Sequence, residues 1–240
     1  TSEEFASFNG SDSYINIGTA ATWDAIIGND TGSGSTQLMT FSSWVYKTTD
    51  TGIMRILDFG NADISLYVND DDRVWFKAKW NGASALWSTP RGTIQKNKWT
   101  HIIVSYNATS TSSDPTMFVN GVEATLTESG TAPSTSYDGI TASDCYIGND
   151  AGFDNGWAGH LDRVAIWNTA MGRNDMATVY RLGKGGDASS VASSSLQLYY
   201  LMGAGRLGAR QATDDLATQF YDKSGNSRNS TQTSNVALVK

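Results

Sequence analysis

Carboxylates are the side chains of this chain best suited to catalysis, because the 240-residue sequence contains only two His and one Cys. Asp and Glu total 24, and only four of these are Glu. A carboxylate pair that acts as nucleophile and acid must lie about 5 Å apart. No Glu occurs between Glu4 and Glu123 or after Glu128, and neither later Glu has a carboxylate partner at strand spacing. The sequence therefore predicts a protein that is not an enzyme.

Asp, Asn and Gly concentrate in the segment 149–156, which reads Asn-Asp-Ala-Gly-Phe-Asp-Asn-Gly. Carboxylate, amide and backbone oxygens suit the hard Ca²⁺ ion. Calcium is therefore the one inorganic partner that the sequence indicates, with Asp150, Asp154 and Asp162 as candidate ligands and no cofactor required. The alternative is a plain turn, since the same residue types form turns without a metal.

Aromatic side chains could stack on a ligand where a strand carries them to the surface. The segment 73–87 holds three Trp around an Asn, and a further Trp lies beside the Asp-rich segment. The candidate ligand-binding residues are Trp75, Trp80, Asn81, Trp87 and Trp157. Alternation places Trp75 with Lys77 and Lys79 on one face of the strand and Trp80 on the other. The alternative is that Trp75 covers sheet surface or a subunit contact.

Short alternating or apolar segments separated by turn residues dominate the chain and predict β-strands. Two hairpins follow from Asn81-Gly82 and Asn120-Gly121, because Asn-Gly favours the type I′ turn that matches strand twist. A single short helix is predicted over Arg173–Leu182, ended by a glycine. Segments 107–115 and 127–144 are predicted to be hydroxyl-rich loops. The expected fold is all-β, an antiparallel sandwich of two sheets with one short helix.

Charge and composition exclude several partners. The net charge is −7 with a pI near 4.7, which disfavours nucleic acid. No apolar run reaches the roughly 18 residues needed to span a membrane. Cys145 lies in an apolar stretch and is expected to be a buried small side chain rather than a reactive thiol. We therefore expect neither nucleic acid nor membrane as a partner.

Six segments occur in the order of a known family. The segment 99–106, Trp-Thr-His-Ile-Ile-Val-Ser-Tyr, is similar to the family pattern W-H-H-V-A-V-[ST]-Y. The other five are 8–18, 41–46, 117–122, 146–148 and 157–167. Together they resemble the concanavalin A-like lectin/glucanase superfamily in its laminin-G-like branch, which implies a jelly-roll sandwich. The superfamily includes β-glucan hydrolases, but this chain lacks the carboxylate strand by which those enzymes resemble one another.

The C-terminal segment carries a further family match in an unusual place. Residues 198–203 and 221–226 resemble a segment that commonly precedes the opening strand. We interpret residues 1–240 as one laminin-G-like sandwich, with a body over 1–183, a Gly/Ser connector over 184–195, and a tail over 196–240 that returns to the same sandwich. The alternative is that the tail begins a second copy.

The resemblance implies a function in binding rather than catalysis. This late-tail arrangement is similar to that of structural proteins of phages and large viruses. The leading hypothesis is a non-enzymatic structural or adhesion module on the exterior of an assembled particle, with other structural proteins or surface polysaccharide as partners and a possible homo-oligomer. The alternative is a secreted or cell-surface carbohydrate-binding lectin, and β-glucan hydrolysis is the third hypothesis. The expected location is extracellular or the virion surface.

Overall fold

The computed structural model describes residues 4–29, 34–81, 83–133, 136–203, 209–211 and 216–239. Two eight-stranded antiparallel sheets stack face to face, and one two-stranded sheet and two α-helices accompany them within those ranges. The predicted all-β sandwich is therefore confirmed, and it fits a jelly roll. None of the helices in these ranges is long and apolar enough to cross a membrane.

The first sheet is built largely from the strands with the most apolar sequence. Its members are β1 (Phe5–Asn9), β3 (Leu38–Lys47), β8 (Thr100–Asn107), β9 (Thr116–Val119), β10 (Val122–Glu123), β13 (Ala158–Trp167), β14 (Leu196–Tyr200) and β18 (Ala237–Val239). The strand order is β10-β9-β8-β3-β13-β1-β18, and β14 also pairs with β13. The long strands β3 and β13 lie at the centre, where both of their faces are covered.

The second sheet carries strands with clearer alternation. Its members are β2 (Tyr14–Thr19), β4 (Met54–Phe59), β5 (Ile64–Val68), β6 (Val74–Trp80), β7 (Ala83–Ser88), β11 (Thr127–Gly130), β12 (Asp144–Ile147) and β17 (Gln232–Ser234). Their order is β11-β7-β6-β5-β4-β12-β2-β17. The strands β15 (Ala209–Gln211) and β16 (Ala217–Phe220) form the small third sheet.

Both predicted hairpins are present. Trp80 pairs with Ala83 across the first turn, although Gly82 itself lies outside the described residues. Val119 pairs with Val122 across the second turn, whose residues Asn120 and Gly121 both have positive φ, at 49° and 76°. Two residues with positive φ are what a type I′ turn requires.

The helices differ from the prediction in number. The expected one is α2 (Arg173–Arg181), but α1 (Ala20–Ile27) was not predicted. The hydroxyl of Thr19 caps α1 by accepting from the Thr22 backbone amide, and the helix buries Trp23 and Ile27. Segment 127–144 is also not a plain loop, because β11 occupies part of it and pairs with β7.

The strands after residue 195 add to both large sheets. β14 pairs with β13 and β18 with β1 in the first sheet, whereas β17 pairs with β2 in the second. The core between the sheets contains fully buried Trp, Tyr and Phe side chains together with Cys145, which is 0% exposed. The prediction of a buried small side chain at Cys145 is confirmed, and burial raises the pKa of its thiol.

Candidate functional site

The outward surface of the second sheet, here called the open face, is defined by alternation along β6. Val74, Phe76, Ala78 and Trp80 are buried in the core, while Trp75, Lys77 and Lys79 are partly exposed on the other side. This is the division that the sequence predicts from the two-residue period of a strand. Side chains from β2, β12, β4 and β5 continue the open face across the sheet.

Three directly paired residues on β6, β5 and β4 form what we call the aromatic row. Trp75 pairs with Tyr67, and Tyr67 pairs with Arg55. The Tyr67 and Trp75 rings are nearly parallel, at 4°, with centroids 6.1 Å apart. The Arg55 guanidinium carbon lies 4.8 Å from the centroid of the Tyr67 ring, a cation–π contact. The result is a rigid stack that ends at the Trp75 indole.

A second set of paired residues, the polar row, runs beside the aromatic row. Lys77 pairs with Ser65, Ser65 with Asp58, Asp58 with Tyr146, and Tyr146 with Asn16. The row therefore crosses five adjacent strands of the second sheet. Ser65, Asp58, Asn16 and Tyr146 are buried, at most 9% exposed, so Lys77 is the one member of this row that is partly exposed.

A bulge in β4 brings Arg55 and Asp58 to the same face although they are three positions apart, an odd spacing that a regular strand would place on opposite faces. The register shifts between Arg55 and Leu57, so Ile56 and Leu57 both enter the core. Such an extra residue redirects the side chains around it, and bulges are common near functional sites. The two rows therefore meet at an arginine and a carboxylate.

The charges at this meeting point are close together and poorly hydrated. Arg55 donates to the Ser65 hydroxyl at 3.0 Å, and its Nε lies 3.4 Å from Asp58 Oδ2 and 3.8 Å from Asp150 Oδ2. Burial raises the pKa of Asp58 to about 6 despite the opposing effect of Arg55. Among the described residues, Arg55 Nε and Asp58 Oδ2 have no hydrogen-bond partner. Unsatisfied buried polar atoms and a perturbed carboxyl are typical of a binding surface.

An aromatic cluster on β2, β12 and the loop 149–156 lies at the other end of the open face; we call it the rim triad. Tyr14 and Phe153 are stacked with centroids 4.7 Å apart, and Tyr146 meets both edge-on at 5.5 and 5.6 Å. Phe153 is 40% exposed and has φ of 58°, a left-handed conformation that is uncommon for an aromatic residue. The loop thus holds an exposed ring in a strained conformation, which often marks function.

The loop that presents Phe153 is fixed by its own polar residues. Asn149 donates to the Ser11 carbonyl at 2.7 Å, and the Phe153 amide donates to the Asp150 carbonyl at 3.2 Å. Asp150 also accepts from the Asp154 amide at 3.2 Å and from the Asn155 side chain. The Asp and Asn residues of this segment therefore act locally as turn formers.

The open face combines the elements that a sugar requires. Aromatic rings pack against the apolar faces of pyranose rings, and a few fixed polar groups set the orientation of a ligand. The rim triad and Trp75 supply rings on either side of the Arg55–Asp58 pair. At the β6–β7 hairpin, the face ends in an open depression of about 360 Å³ lined by Lys79, Trp80, Ala83, Ser84 and Thr131.

Three of the predicted ligand-binding tryptophans are buried instead. Trp80, Trp87 and Trp157 are at most 2% exposed and belong to the core cluster. Trp80 donates to the Tyr106 hydroxyl at 3.2 Å, and Trp87 donates to Asp114 at 3.0 Å. These rings fill the space between the sheets, so they have no free face to offer a ligand. Of the other two candidates, Trp75 lies on the open face and Asn81 is exposed at the hairpin.

The three predicted calcium ligands do not converge. Asp162 lies on β13 of the first sheet, where it contacts Arg163 at 3.5 Å and Lys184 at 3.4 Å. Asp150 lies beside Arg55 at the second sheet, and Asp154 is exposed. Within the described part of the chain, no group of three or more His, Cys, Asp or Glu is placed to hold a metal ion. The residues present therefore do not fit the predicted calcium site.

The other candidates for catalysis are also separated. Glu123 on β10 belongs to the first sheet and forms an ion pair with Arg173 at 2.7 Å, whereas Glu128 on β11 belongs to the second sheet. His101 is buried and makes a 2.9 Å hydrogen bond with Ser42, as the sequence predicts. Glu123 and Glu128 therefore do not form the juxtaposed pair of carboxyl groups that glycoside hydrolysis requires.

Four residues of this surface carry no motif in the sequence: Arg55, Tyr67, Tyr14 and Phe153. Alternation along β4 and β5 is hidden because their residues are all buried or nearly so. A usable signal did exist for Phe153, which is the only aromatic residue within an Asp/Asn/Gly segment. Turn residues favour the surface, so an aromatic residue among them is a candidate for contact with a ligand.

The family follows from a match over most of the chain. A laminin-G-type family model described as the concanavalin A-like lectin/glucanases superfamily matches residues 9–177. The chain belongs to this superfamily. No curated protein sequence matches this lectin-like chain.

Solved structures share the lectin-like fold at low identity. A Bacteroides ovatus protein provisionally described as carbohydrate-binding has a TM-score of 0.66 and 16% identity, covering 100% of this chain and 60% of its own. The CBM40 domain of a Ruminococcus gnavus IT-sialidase bound to α2,3-sialyllactose has a TM-score of 0.55 and 13% identity, covering 75% and 97%. A variant of NanB sialidase from Streptococcus pneumoniae has a TM-score of 0.50 and 14% identity, covering 73% and 27%.

These likenesses concern the fold, because every identity is low. The lectin-like chain spans 60% of the length of the Bacteroides ovatus protein. It corresponds to nearly the whole CBM40 domain but to about a quarter of the NanB chain. What those proteins bind therefore bears on this chain only as support for a proposal.

Proposed function

We propose that this protein is a non-enzymatic carbohydrate-binding module and that the open face is its binding surface. The observation that carries the proposal is the placement of two aromatic platforms, Trp75 and the rim triad, on either side of the paired Arg55 and Asp58. Solved structures of the same fold include proteins described as carbohydrate-binding, which supports the same conclusion.

Aromatic and polar side chains contact different parts of a sugar. Aromatic rings bury the C–H faces of a sugar, and the partly exposed Lys77 beside Trp75 supplies hydrogen-bond donors. The platforms are held by neighbouring strands and by the loop 149–156, so little side-chain entropy is lost on binding. A ligand that bridged both platforms would contact several sugar units, as expected for a polysaccharide.

A glycan array followed by isothermal titration calorimetry tests this proposal. We expect Trp75→Ala and Phe153→Ala each to weaken binding of any retained glycan by at least about tenfold, or about 1.4 kcal/mol. The matched control is Trp99→Ala, which removes a half-buried aromatic residue beside Phe5 and Tyr46 at the first sheet. Loss of binding in the control alone would place the site on the first sheet and overturn the proposal.

The setting that we propose is extracellular or a virion surface, where the module serves in adhesion or decoration beside other structural proteins. The support is compositional: Ser and Thr occupy 54 positions, and residues 109–112 form an exposed hydroxyl-rich loop. Mass spectrometry of purified particles and light scattering of the pure protein test it. A protein found only as an isolated monomer, absent from any particle, would contradict this setting.

A further inference from the structure

Lys77 differs from the other cations of the open face. Arg55 lies 3.4 Å from Asp58, Arg73 contacts Asp71 at 3.0 Å, and Lys79 contacts Asp63 at 3.1 Å. Among the described residues, Lys77 has no carboxylate within 4 Å and makes no side-chain hydrogen bond. It is the one cation of this β6 surface whose charge the fold does not neutralise directly.

The surroundings of Lys77 make an unpaired ammonium costly. Its side chain is half-buried between Ser65 on β5 and Leu86 on β7. Burial is the largest influence on its pKa, which lies below the ordinary value; Arg55 and Lys79 lower the pKa further, whereas the more distant carboxylates of Asp58 and Asp63 raise it. A charge that is partly removed from water without a partner destabilises the protein until an opposite charge arrives.

The position of Lys77 on the strand joins this charge to an aromatic platform. Residues two apart on a strand share a face and have Cα atoms roughly 7 Å apart, so Lys77 is the next residue after Trp75 on the same face of β6. Ser65 and Asp58 follow on the polar row. A sugar stacked on Trp75 would therefore bring a substituent on its ring to the ammonium.

Resting on the proposed function, we infer that the open face takes an anionic glycan, whose carboxylate or sulfate binds Lys77 while its ring stacks on Trp75. A lysine recognises an anion as a compact point charge and does not demand the planar geometry that an arginine does. Because the protein carries a net charge of −7, an acidic polymer is repelled by the molecule as a whole. A dedicated cation at the contact point supplies the local attraction.

Two matched pairs of polymers test the inference by titration calorimetry: polygalacturonate with its carboxyl-reduced form, and dextran sulfate with dextran. We expect the wild type to bind one or both anionic polymers at least fivefold more tightly than the neutral partners, with the preference decreasing as salt rises. Lys77→Gln should abolish this preference, so that the anionic polymers bind no more tightly than their neutral partners. Polygalacturonate alone, or dextran sulfate alone, would identify the anion as carboxylate or sulfate.

The matched control is Lys79→Gln, which removes the same charge from the same face of β6 but from an ammonium that Asp63 already neutralises. It should change the anionic preference less than twofold. A preference that survives in Lys77→Gln, equal binding of anionic and neutral polymers, or binding of neither anionic polymer would overturn the inference. Binding of neutral polymers that Trp75→Ala abolishes would leave the proposed function standing, and binding that Trp75→Ala does not affect would overturn both.

Discussion

The two outer faces of the sandwich differ in how far other parts of the chain cover them. The outer face of the first sheet, here called the covered face, lies under α2 and the segment 188–196 and forms a second apolar cluster that includes Ile103, Trp167 and Met176. On the open face of the second sheet, Trp75 is partly exposed and Phe153 is 40% exposed, although Arg55, Tyr67 and Asp58 between them are at most 8% exposed. Both faces carry Trp and charged residues, but Trp167 on the covered face is fully buried.

The covered face and the open face also differ in the size of the space beside them. The space at the covered face, lined in part by Ser42, His101 and Arg163, is about 10 Å³ and suits a single water molecule. The depression at the β6–β7 hairpin measures about 360 Å³, but it is shallow and open to solvent, and neither Trp75 nor Arg55 lines it. The difference between the two faces therefore lies in the helical cover of the first sheet rather than in the composition of the sheets.

The largest effect that sharpens this comparison is on stability. Trp167 is fully buried on the covered face and donates to the Val191 carbonyl at 2.9 Å. Trp167→Ala should therefore lower the free energy of unfolding by about 3 to 5 kcal/mol, measured by urea denaturation. Trp75→Ala on the open face should lower it by only about 1 kcal/mol. Equal losses would show that the open face is also a packing surface.

A smaller effect concerns pH. Burial lowers the pKa of His101 to about 3, so the folded protein keeps it neutral where the unfolded chain, with a pKa near 6.5, takes up a proton. The stability that the neutral histidine supplies is complete above pH 6.5 and is lost as pH falls toward 3, by about 1.4 kcal/mol per pH unit. Between pH 7 and pH 5, the free energy of unfolding of His101→Gln should therefore fall by about 2 kcal/mol less than that of the wild type.

The comparison with the variant is necessary because buried acids act in the opposite sense. Burial raises the pKa of Asp58 and Asp162 to about 6, so their contribution to stability increases as pH falls through that value. The free energy of unfolding of each protein is measured by urea denaturation at each pH. The difference between wild type and His101→Gln isolates the contribution of the histidine to stability. His160→Gln, at a half-buried site on the same sheet, is the control and should show a smaller difference. Identical curves for His101→Gln and wild type would refute the prediction.

The smallest effect on stability is expected at Phe153. Phe153→Gly removes an exposed ring and relieves its positive φ, while glycine adds entropy to the unfolded chain. The free energy of unfolding should stay within about 1 kcal/mol of wild type, but glycan affinity should fall at least about tenfold. Phe153→Asn, which tolerates the same backbone conformation, should behave alike. Destabilisation by several kcal/mol in both would mean that the ring holds the loop.

Local patterns predict local structure well in this chain. Asn120-Gly121 specifies its hairpin because both residues accept positive φ, and alternation along β6 correctly separates Phe76 from Trp75. The helix α1 escaped prediction because its eight residues bury only Trp23 and Ile27. The strand β11 escaped because all of its residues are exposed, so it shows no alternation.

The site was predicted only in part, since its residues meet through pairing between distant strands. Arg55 and Asp58 reach one face through a bulge that no turn signal announces. A Trp in a strand is equally compatible with the core, as for Trp87, and with an open surface, as for Trp75. Deciding between them requires knowledge of what covers each sheet, which is a property of the whole topology.

Even- and odd-numbered residues of the strand β6 have different roles. Its even-numbered positions from Val74 to Trp80 are committed to the interior, whereas Trp75 and Lys77 touch little that the fold depends on. Randomising positions 75 and 77 together would therefore give a library in which most members still fold. Such a scaffold could be retargeted from one saccharide to another by selection, with the interior left as it is.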